Sequence, residues 1–577
     1  MMTCDLMSHA WPIAVHKTTM SQRSSLLLAQ NKMHLEAATA GNQLACGGAM
    51  AALALLLCSF IYTAWLSPAA TRRRLRQAGF DGPRPSFPLG NLREITATLA
   101  ATDGKSTSSV LVLRSSNIHA AVFPYFARWR QAFGKVFVYW LGTEPFLYVA
   151  DPEFLKAATA GALGRRWGKA EVFRRDRMPL FGLGLVMADG EEWARHRNII
   201  APAFSATNLS DMVGLMQETT AKMLARWSDA VAAGQSVVDV EKDVVRNAAE
   251  IIAKASFGVS DDDEAGAAVF RKLQALQATL FQSNRLVGVP LARLLHARKT
   301  YVARILGREI DALLMAIIDA RRRQQGAGRS RKDLLSLLLT GAGAGDVSES
   351  SAGAEERRLT TRELVDECKT FFFGGHETTG LALSWTLLML AAHPEWQAAL
   401  REEVAREVDD ERALDAAALG RLTKMGWVMS EVLRLYPPAP NMQRQALEDV
   451  VVAAAAEDKP LGGGAVVIPR GTNMWVDVVA MHRDAALWGD DAHEFRPERF
   501  ARDPVQGGCR HRMGFLPFGF GGRICVGRNF TAMEYRVVLA MLLRRFQVSL
   551  APEYRHAPRF MLSLRPSAGI QLRLTPL

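Results

Sequence analysis

The stretch FGFGGRICVG, residues 518–527, places one cysteine among four glycines, with an arginine two positions before it. A lone cysteine is most often an inert core residue, and a nucleophilic one would need a base that no neighbouring histidine supplies. Glycines favour a third interpretation, because they let the backbone approach a large flat ligand and can direct N–H groups at a thiolate. Such hydrogen bonds tune the metal that a sulfur binds, and Arg523 could pair with an acidic edge of the ligand. We therefore predict that Cys525 is a metal ligand, with an inert core residue as the alternative.

A long helix is predicted over residues 359–394. Thr360 and Glu363 have the spacing of a capping box, and Pro394 closes the segment. Between these ends lie about nine turns of mostly apolar sequence. We expect one continuous helix.

The middle of this helix reads GGHETT, residues 374–379. Two adjacent glycines inside a helix cost on the order of 1 kcal/mol each relative to alanine, so another interaction should compensate. A ligand against the bare backbone, a local opening of the helix and a close helix crossing all remain compatible with the sequence. Glu377 and Thr378 add an acid and a hydroxyl, which could relay protons.

A buried ion pair is predicted in the stretch MGWVMSEVLRLYPP, residues 425–438. Glu431 and Arg434 are three residues apart on a helix and face the same way. A solvated surface pair is the alternative, but the flanking residues are apolar. A buried arginine needs further acceptors, and Arg499 in FRPERF (495–500) is a candidate second partner for Glu431. Together the three residues would form a structural lock.

The N-terminal part of the chain contains a candidate membrane anchor. Residues 44–66 form a run of 23 without any charge, which exceeds the roughly 20 residues needed to span a bilayer. Four arginines follow between 72 and 76, which places that side in the cytosol. A cleaved signal peptide is the alternative. We divide the chain into an extension (1–43, with translation starting at Met33 as a hypothesis), a transmembrane anchor (44–66), a basic, proline-rich hinge (67–92) and a body (93–577).

Composition narrows the class of protein. The chain has 577 residues, of which 49% are hydrophobic, and a net charge of +12, so it can bury a large core. Its lysines and arginines are spread along the chain without a recognisable binding module, which favours an acidic partner or an anionic membrane over nucleic acid. Helical periodicity dominates, with short β-branched runs between helices. We predict a mainly α fold with small β-sheets.

Taken together, the motifs resemble those of the microsomal cytochrome P-450 family of haem-thiolate monooxygenases. The cysteine loop has the pattern F-x-x-G-x-R-x-C-x-G, and GGHETT, E-x-x-R, PERF and W-x-x-x-R follow the family's other motifs. FFFGGHETT and PPAPNMQRQA are similar to a plant branch that contains cytokinin hydroxylases and secologanin synthase. The likeness runs from about residue 44 to the C-terminus. Gly522 departs from the pattern, since many relatives have proline there.

The resemblance implies a cytochrome P-450 fold behind an N-terminal transmembrane helix, with haem b as the cofactor. It implies that Cys525 is the axial thiolate of the haem iron, which favours O–O cleavage. The other implied roles are haem propionate binding by Trp193, Arg197, Arg444 and Arg523, completion of the cysteine loop by Phe518, Gly521 and Gly527, proton delivery by Thr378 and Glu377, and a structural triad of Glu431, Arg434 and Arg499.

The resemblance also implies an activity and its partners. One atom of O2 would be inserted into an apolar small molecule such as a terpenoid, an isoprenoid hormone or a fatty acid. The chain has no convincing nucleotide-binding fingerprint, so electrons would come from NADPH through a cytochrome P-450 reductase. Membrane lipid would hold the protein, single-pass, in the endoplasmic reticulum with the catalytic body cytosolic. The alternatives are a reductase-independent hydroperoxide isomerase or dehydratase, and a non-catalytic haem-binding membrane protein.

Overall fold

The computed structural model describes residues 13–102, 118–258, 264–281, 286–326, 333–340, 358–408, 414–453 and 465–577. These residues are mainly helical, with short strands between the helices, as predicted. In chain order, the helices are α1 (Ile13–Ile61), α2 (Ser67–Gln77), α3 (Leu92–Thr102), α4 (Ile118–Val122), α5 (Pro124–Phe133), α6 (Pro152–Thr159), α7 (Glu171–Phe181), α8 (Gly190–Ile200), α9 (Ala206–Ser210), α10 (Val213–Ala232), α11 (Val240–Phe257), α12 (Glu264–Phe281), α13 (Ala292–Leu295), α14 (Ala297–Gly326), α15 (Leu334–Thr340), α16 (Thr361–Ala392), α17 (Pro394–Glu407), α18 (Ala416–Arg421), α19 (Thr423–Leu435), α20 (Val478–His482), α21 (Ala485–Trp488), α22 (Arg499–Arg502) and α23 (Arg528–Leu543).

The strands form small sheets. They are β1 (Val136–Leu141), β2 (Glu144–Val149), β3 (Trp167–Gly168), β4 (Val237–Asp239), β5 (Asn441–Ala446), β6 (Val450–Val452), β7 (Val466–Ile468), β8 (Asn473–Asp477), β9 (Phe546–Leu550), β10 (Pro558–Met561), β11 (Ser563–Pro566) and β12 (Gln571–Pro576). The largest sheet has the order β1-β2-β8-β5-β3, in which β2 and β8 run parallel and the other neighbours are antiparallel. The smaller sheets pair β4-β12-β9, β6-β7 and β10-β11.

The chain divides into two units between Ser67 and Pro68. In the first unit, α1 runs without interruption from Ile13 to Ile61, so the predicted boundary at residue 44 is not a helix end. The run from Gly47 to Gln77 is helical, 31 residues long and apolar enough to cross a membrane by length and composition. The arginines predicted to lie in the hinge are in α2.

In the second unit, the proline-rich segment that follows α2 lies along β1. The Val138 N–H donates to the Asp81 carbonyl at 2.9 Å, and the Asn91 N–H donates to the Trp140 carbonyl at 2.9 Å. A side chain at Gly82 would collide with Val138, whose carbonyl oxygen lies 1.9 Å from the position of a Cβ. The segment is therefore bound to the sheet by backbone hydrogen bonds.

Helix α16 spans the core of the second unit. The predicted capping box is present: the Glu363 N–H donates to Thr360 Oγ1 at 3.3 Å, and the Thr360 N–H donates to a Glu363 carboxylate oxygen at 2.7 Å. Proline ends the helix as predicted, because Pro394 begins α17. Most side chains along the 32 residues of α16 are buried. Its whole length is therefore available to position groups inside the protein.

Candidate active site

A cavity inside the second unit brings most of the predicted site residues together. It contains about 1420 Å³ of space free of protein atoms, part of it open to solvent. The predicted residues in its wall are Trp193, Arg197, Thr378, Arg444, Phe518, Arg523, Cys525 and Gly527. The other predicted residues, Gly521, Glu377, Glu431, Arg434 and Arg499, do not border it.

The cysteine loop folds back on itself at the cavity wall. The Cys525 N–H donates to the Phe518 carbonyl at 2.9 Å, which closes the loop. Gly519 and Gly521 adopt φ values of +81° and +65°, a conformation that residues other than glycine rarely adopt. These glycines explain why the sequence can turn tightly enough to present the sulfur to the cavity.

The Cys525 side chain is accessible from the cavity and is otherwise surrounded by protein. Burial raises the pKa of this thiol, while the Gly527 N–H and the guanidinium groups of Arg197 and Arg528 oppose the shift. A metal cation bound at the sulfur would further stabilise the thiolate, because coordinated thiols are deprotonated. The donor therefore fits a thiolate-ligated iron.

Arginine side chains flank the cysteine. The Arg523 guanidinium lies over the Trp193 ring, 4.7 Å from its centroid, and Arg523 Nη2 donates to Asp189 Oδ1 at 2.8 Å. Arg197 Nη1 donates to the Ile524 carbonyl at 2.8 Å. Helix α8, which carries Trp193 and Arg197, is thus joined to the cysteine loop.

This wall carries more positive than negative charge. Burial lowers the pKa of Arg444 to about 10, and nearby Arg523 adds to the shift while Asp189 opposes it. Burial likewise lowers the pKa of Lys169 well below its usual range, with Arg444 and Arg523 contributing. Buried cations that repel one another gain from an anion among them. The two propionates of a haem are such anions, so the residues present fit that cofactor.

The two glycines of α16 have different surroundings. Gly374 faces open cavity, since a Cβ there would have no atom within 4 Å outside its own helix. Gly375 lies against α11, where a Cβ would approach Ile252 Cγ1 to 2.6 Å. A Cβ at Gly380 would likewise approach Val245 Cα of α11 to 2.8 Å. Gly375 therefore shows the close helix crossing, Gly374 leaves bare backbone at the cavity, and α16 is continuous without a local opening.

The side chains of Thr378 and Glu377 lie in different environments. Thr378 lines the cavity, and its hydroxyl donates to the Gly374 carbonyl at 2.6 Å. Glu377 is buried away from it and accepts hydrogen bonds from Ser563 Oγ at 2.6 Å and Gln277 Nε2 at 3.0 Å. Burial acts to raise the pKa of Glu377, but the Arg565 guanidinium, His376 and these hydrogen bonds outweigh it and lower the pKa. The two groups predicted to relay protons are adjacent in the chain but make no direct hydrogen bond in this structure.

Glu431, Arg434 and Arg499 meet in the core. Arg434 is fully buried and forms two hydrogen bonds with the Glu431 carboxylate, at 2.7 and 2.8 Å. Arg499 lies 3.5 Å from Glu431 and makes its closer ion pair, at 2.8 Å, with Asp491. The remaining N–H groups of Arg434 donate to the backbone carbonyls of His482, Ala492 and Glu494. All five donors of Arg434 are therefore satisfied.

Two residues at or beside the cavity wall, Lys169 and Asp189, belong to none of the sequence motifs. Lys169 lines the cavity, and a lone lysine in the sequence carries no signal of that position. Asp189 has a helix-capping position before α8, but its carboxylate makes no capping bond. It accepts instead from the Lys169 N–H at 2.9 Å and from Arg523. An aspartate at this position would be expected to cap the helix, whereas its carboxylate pairs with an arginine 334 positions away.

The chain is similar to known proteins over most of its length. Residues 109–574 match the family model described as Cytochrome P450. A cytokinin hydroxylase of Arabidopsis thaliana is 35% identical, over 89% of this chain and 94% of its own length. Cytochrome P450 714C2 of Oryza sativa subsp. japonica is 34% identical, over 90% of this chain and 96% of its own. Cytochrome P450 734A6 of the same rice is 33% identical, over 89% and 92%.

Proposed function

The chain belongs to the cytochrome P450 family of haem-thiolate monooxygenases, and from this premise we propose that it hydroxylates an apolar, hormone-like small molecule with Cys525 as its haem ligand. One observation carries the proposal: Cys525, a set of buried cations and Thr378 all line a single cavity. Haem, when bound, supplies the activation of O2 and the insertion of one oxygen atom into the substrate. The protein residues supply binding, orientation and protons.

The cavity wall divides these tasks among its residues. Cys525 would bind the iron, while Arg197, Arg444, Arg523 and Lys169 would hold the propionates. Trp193 supports Arg523 through the contact between ring and guanidinium. Phe518, Gly521 and Gly527 would fix the shape of the cysteine loop, and Glu431, Arg434 and Arg499 would hold the structure behind it.

Proton delivery would depend on Thr378 and Glu377. The Thr378 hydroxyl is on the cavity side and can hold a proton at Oγ1 for transfer into the cavity. Glu377, buried and held as a carboxylate by its partners, can receive a proton from the side of Arg565 and Ser563. Rotation of the Glu377 side chain about its own bonds would then bring the acid to the threonine.

The substrate would be an apolar molecule with an isoprenoid part. The cavity wall away from the cations is apolar, with Leu185, Val186, Ile252, Phe371 and Met442 among its side chains. The name of one relative, a cytokinin hydroxylase, supports an isoprenoid hormone over the other candidates, a terpenoid and a fatty acid.

Electrons would come from a membrane-bound NADPH–cytochrome P450 reductase. Arg510, Arg512 and Arg528, close in sequence to the cysteine loop, are exposed and suit an acidic docking face. The apolar helix from Gly47 to Gln77 would anchor the protein in the endoplasmic reticulum, with the body in the cytosol.

The decisive test is the difference spectrum of the reduced, carbon-monoxide-bound protein. The wild type should show the strongly red-shifted Soret band of a thiolate-ligated haem, and Cys525→Ala should lose it. Cys509→Ala is the matched control, since Cys509 is buried and does not line the cavity. A band typical of histidine ligation in all three proteins would reject Cys525 as the ligand.

The reaction itself is tested with labelled O2. Microsomes containing the protein and the reductase should convert an isoprenoid cytokinin into a product that carries one labelled oxygen atom, and only with NADPH present. Labelled product from terpenoids or fatty acids alone would move the substrate to those classes. Turnover of a hydroperoxide without NADPH would instead support the isomerase alternative.

A further inference from the structure

A buried histidine outside the cavity contacts the cysteine loop directly. His482 is the last residue of α20 and is fully buried. Its Nε2 accepts a hydrogen bond from the Leu516 N–H at 2.8 Å. Its ring also packs on Phe515, with the two ring centroids 5.2 Å apart. The imidazole thus holds the backbone where the chain enters the cavity wall, because Leu516 is a wall residue.

The backbone of the same residue contacts the buried ion pair. The His482 carbonyl accepts a hydrogen bond from Arg434 Nη1 at 2.9 Å, while Arg434 is fixed by two hydrogen bonds to Glu431. His482 therefore touches the Glu431–Arg434 pair with its carbonyl and the cysteine loop with its ring.

From Leu516 the contacts continue to the sulfur-bearing residue. The Gly519 N–H donates to the Leu516 carbonyl at 3.2 Å, and the Cys525 N–H donates to the Phe518 carbonyl at 2.9 Å. Both peptide groups of Leu516 are therefore engaged, one with His482 and one with Gly519. A displacement of Leu516 would be transmitted to Cys525 through two short turns of backbone.

The imidazole is suited to accept this hydrogen bond. Burial lowers the pKa of His482 to about 3, and the positive charge of Arg434 adds to the shift. The ring is therefore neutral at physiological pH and keeps a free lone pair on Nε2, with its proton on Nδ1. The carbonyls of Leu433 and Arg434 favour that ring proton, although neither makes a hydrogen bond of good geometry with Nδ1.

We propose that His482 is a positioning residue for the haem ligand: it couples the Glu431–Arg434 pair to the cysteine loop by accepting the Leu516 N–H, and thereby holds the Cys525 sulfur where it ligates iron. The inference rests on the proposed role of Cys525. In this proposal the Glu431–Arg434 pair influences the position of the Cys525 sulfur through His482, whose ring accepts the Leu516 N–H.

The test compares two substitutions that differ in one property. His482→Phe keeps a flat ring against Phe515 but has no acceptor, whereas His482→Gln can place its amide oxygen near the position of Nε2. The measurement is the ratio of thiolate to non-thiolate forms of the reduced, carbon-monoxide-bound protein across a urea series. His482→Phe should lower this ratio by about fivefold, the effect of losing one hydrogen bond, and His482→Gln should restore most of it.

The control is His556→Phe, because His556 is a buried histidine whose hydrogen bonds are with the Tyr554 and Tyr436 hydroxyls and not with the cysteine loop. It should leave the ratio unchanged. If His482→Phe does not accumulate, His482→Asn takes its place, since its shorter amide does not reach the Nε2 position.

The proposal is overturned if His482→Phe or His482→Asn keeps the wild-type ratio, or if His482→Gln loses as much as the non-acceptor variant at equal thermal stability. Wild type and Cys525→Ala are measured first. A wild type without any thiolate band rejects the ligand assignment and the role of His482 together. A wild-type ratio in every His482 variant rejects only the role of His482.

Discussion

At the scale of single residues, Gly374 and Gly375 are adjacent in α16 but should respond oppositely to the same change. Gly374→Ala adds a methyl group where no neighbouring atom lies within 4 Å, so the better helix propensity of alanine should raise the free energy of unfolding by up to about 1 kcal/mol. Gly375→Ala pushes a methyl group into Ile252, 2.6 Å from its Cγ1. Overpacking should there exceed the propensity gain and lower stability by about 1 kcal/mol.

The measurement is thermal unfolding of the two variants and the wild type by circular dichroism at one scan rate. Each variant is the control for the other, because the substitution and the helix are the same. Equal shifts in both variants would show that α16 and α11 can separate at Gly375, contrary to the close crossing described above.

Thr378 provides a test of proton delivery. Thr378→Ala should leave haem binding and the carbon monoxide spectrum intact, while O2 and NADPH consumption become uncoupled from product and the peroxide yield rises. The matched control is Thr379→Ala: Thr379 is buried, pairs with Thr531 at 3.1 Å and does not line the cavity. Unchanged coupling in Thr378→Ala would remove the hydroxyl from the proton relay.

The conformation of one loop could be predicted from the sequence, whereas most contacts between distant segments could not; the approach of Arg499 to Glu431 is an exception. The cysteine loop is readable because its glycines and its cysteine lie within ten positions. The position of Glu377 next to Thr378 suggests a shared proton relay, but the Glu377 carboxylate accepts from Ser563, 186 positions away. Adjacent residues on a helix point about 100° apart, so adjacency in sequence does not imply a shared environment.

At the scale of elements, α8 and α16 are joined by a titratable pair. His196 of α8 is fully buried, and its Nδ1 lies 2.7 Å from Glu367 Oε1 of α16. Burial acts to lower the pKa of His196, but the carboxylates of Glu367 and Glu363 outweigh it and raise the pKa. Glu367 also accepts from the Leu185 N–H at 2.7 Å. The pair therefore links α8 to a loop of the cavity wall.

This link predicts a pH dependence of stability. Because the folded pKa of His196 lies above its unfolded value of 6.5, the folded state binds more protons over that interval. The stabilisation is fully present below pH 6.5 and is lost as the pH rises through the folded pKa. We expect the thermal midpoint to fall as the pH is raised from 6.5, and His196→Gln to flatten that slope.

The control for this experiment is His393→Gln. His393 pairs with an exposed carboxylate, Glu395, outside the junction of α8 and α16, and its replacement should leave the slope unchanged. A slope that survives in His196→Gln would assign the pH dependence to other groups.

The elements themselves were largely predictable, because their ends depend on local signals. Thr360, Glu363 and Pro394 fixed α16 correctly, since caps and prolines act within one turn. The hinge was harder: its first part is helical in α2, and the segment with the later prolines is bound to β1 through partners such as Val138, more than fifty positions after Asp81. Local sequence determines where a helix or strand begins and ends, whereas the elements it packs against are determined by the whole chain.

At the scale of the whole molecule, the chain combines a body that contains the cavity, from Pro68 onward, with an N-terminal unit that contains most of the apolar span. The span predicts how the protein is held in the membrane. Deletion of residues 1–66 should release most of the protein from membranes washed with alkaline carbonate, because fewer than the roughly 20 apolar residues needed to cross a bilayer would remain. The cavity residues all lie after this point, so the released protein should keep the thiolate spectrum.

A second truncation separates the anchor from the extension before it. A chain that begins at Met33 retains the whole uncharged run from 44 to 66 and should stay in the membrane fraction like the full-length protein. Sedimentation after the carbonate wash, followed by the carbon monoxide spectrum of both fractions, measures location and folding together. If the chain without residues 1–66 stays with the membrane, the body must have its own membrane-binding surface, and the apolar helix is then not the main anchor. If the chain from Met33 is released instead, residues 1–32 contribute to anchoring, and the predicted start of the anchor at residue 44 is wrong.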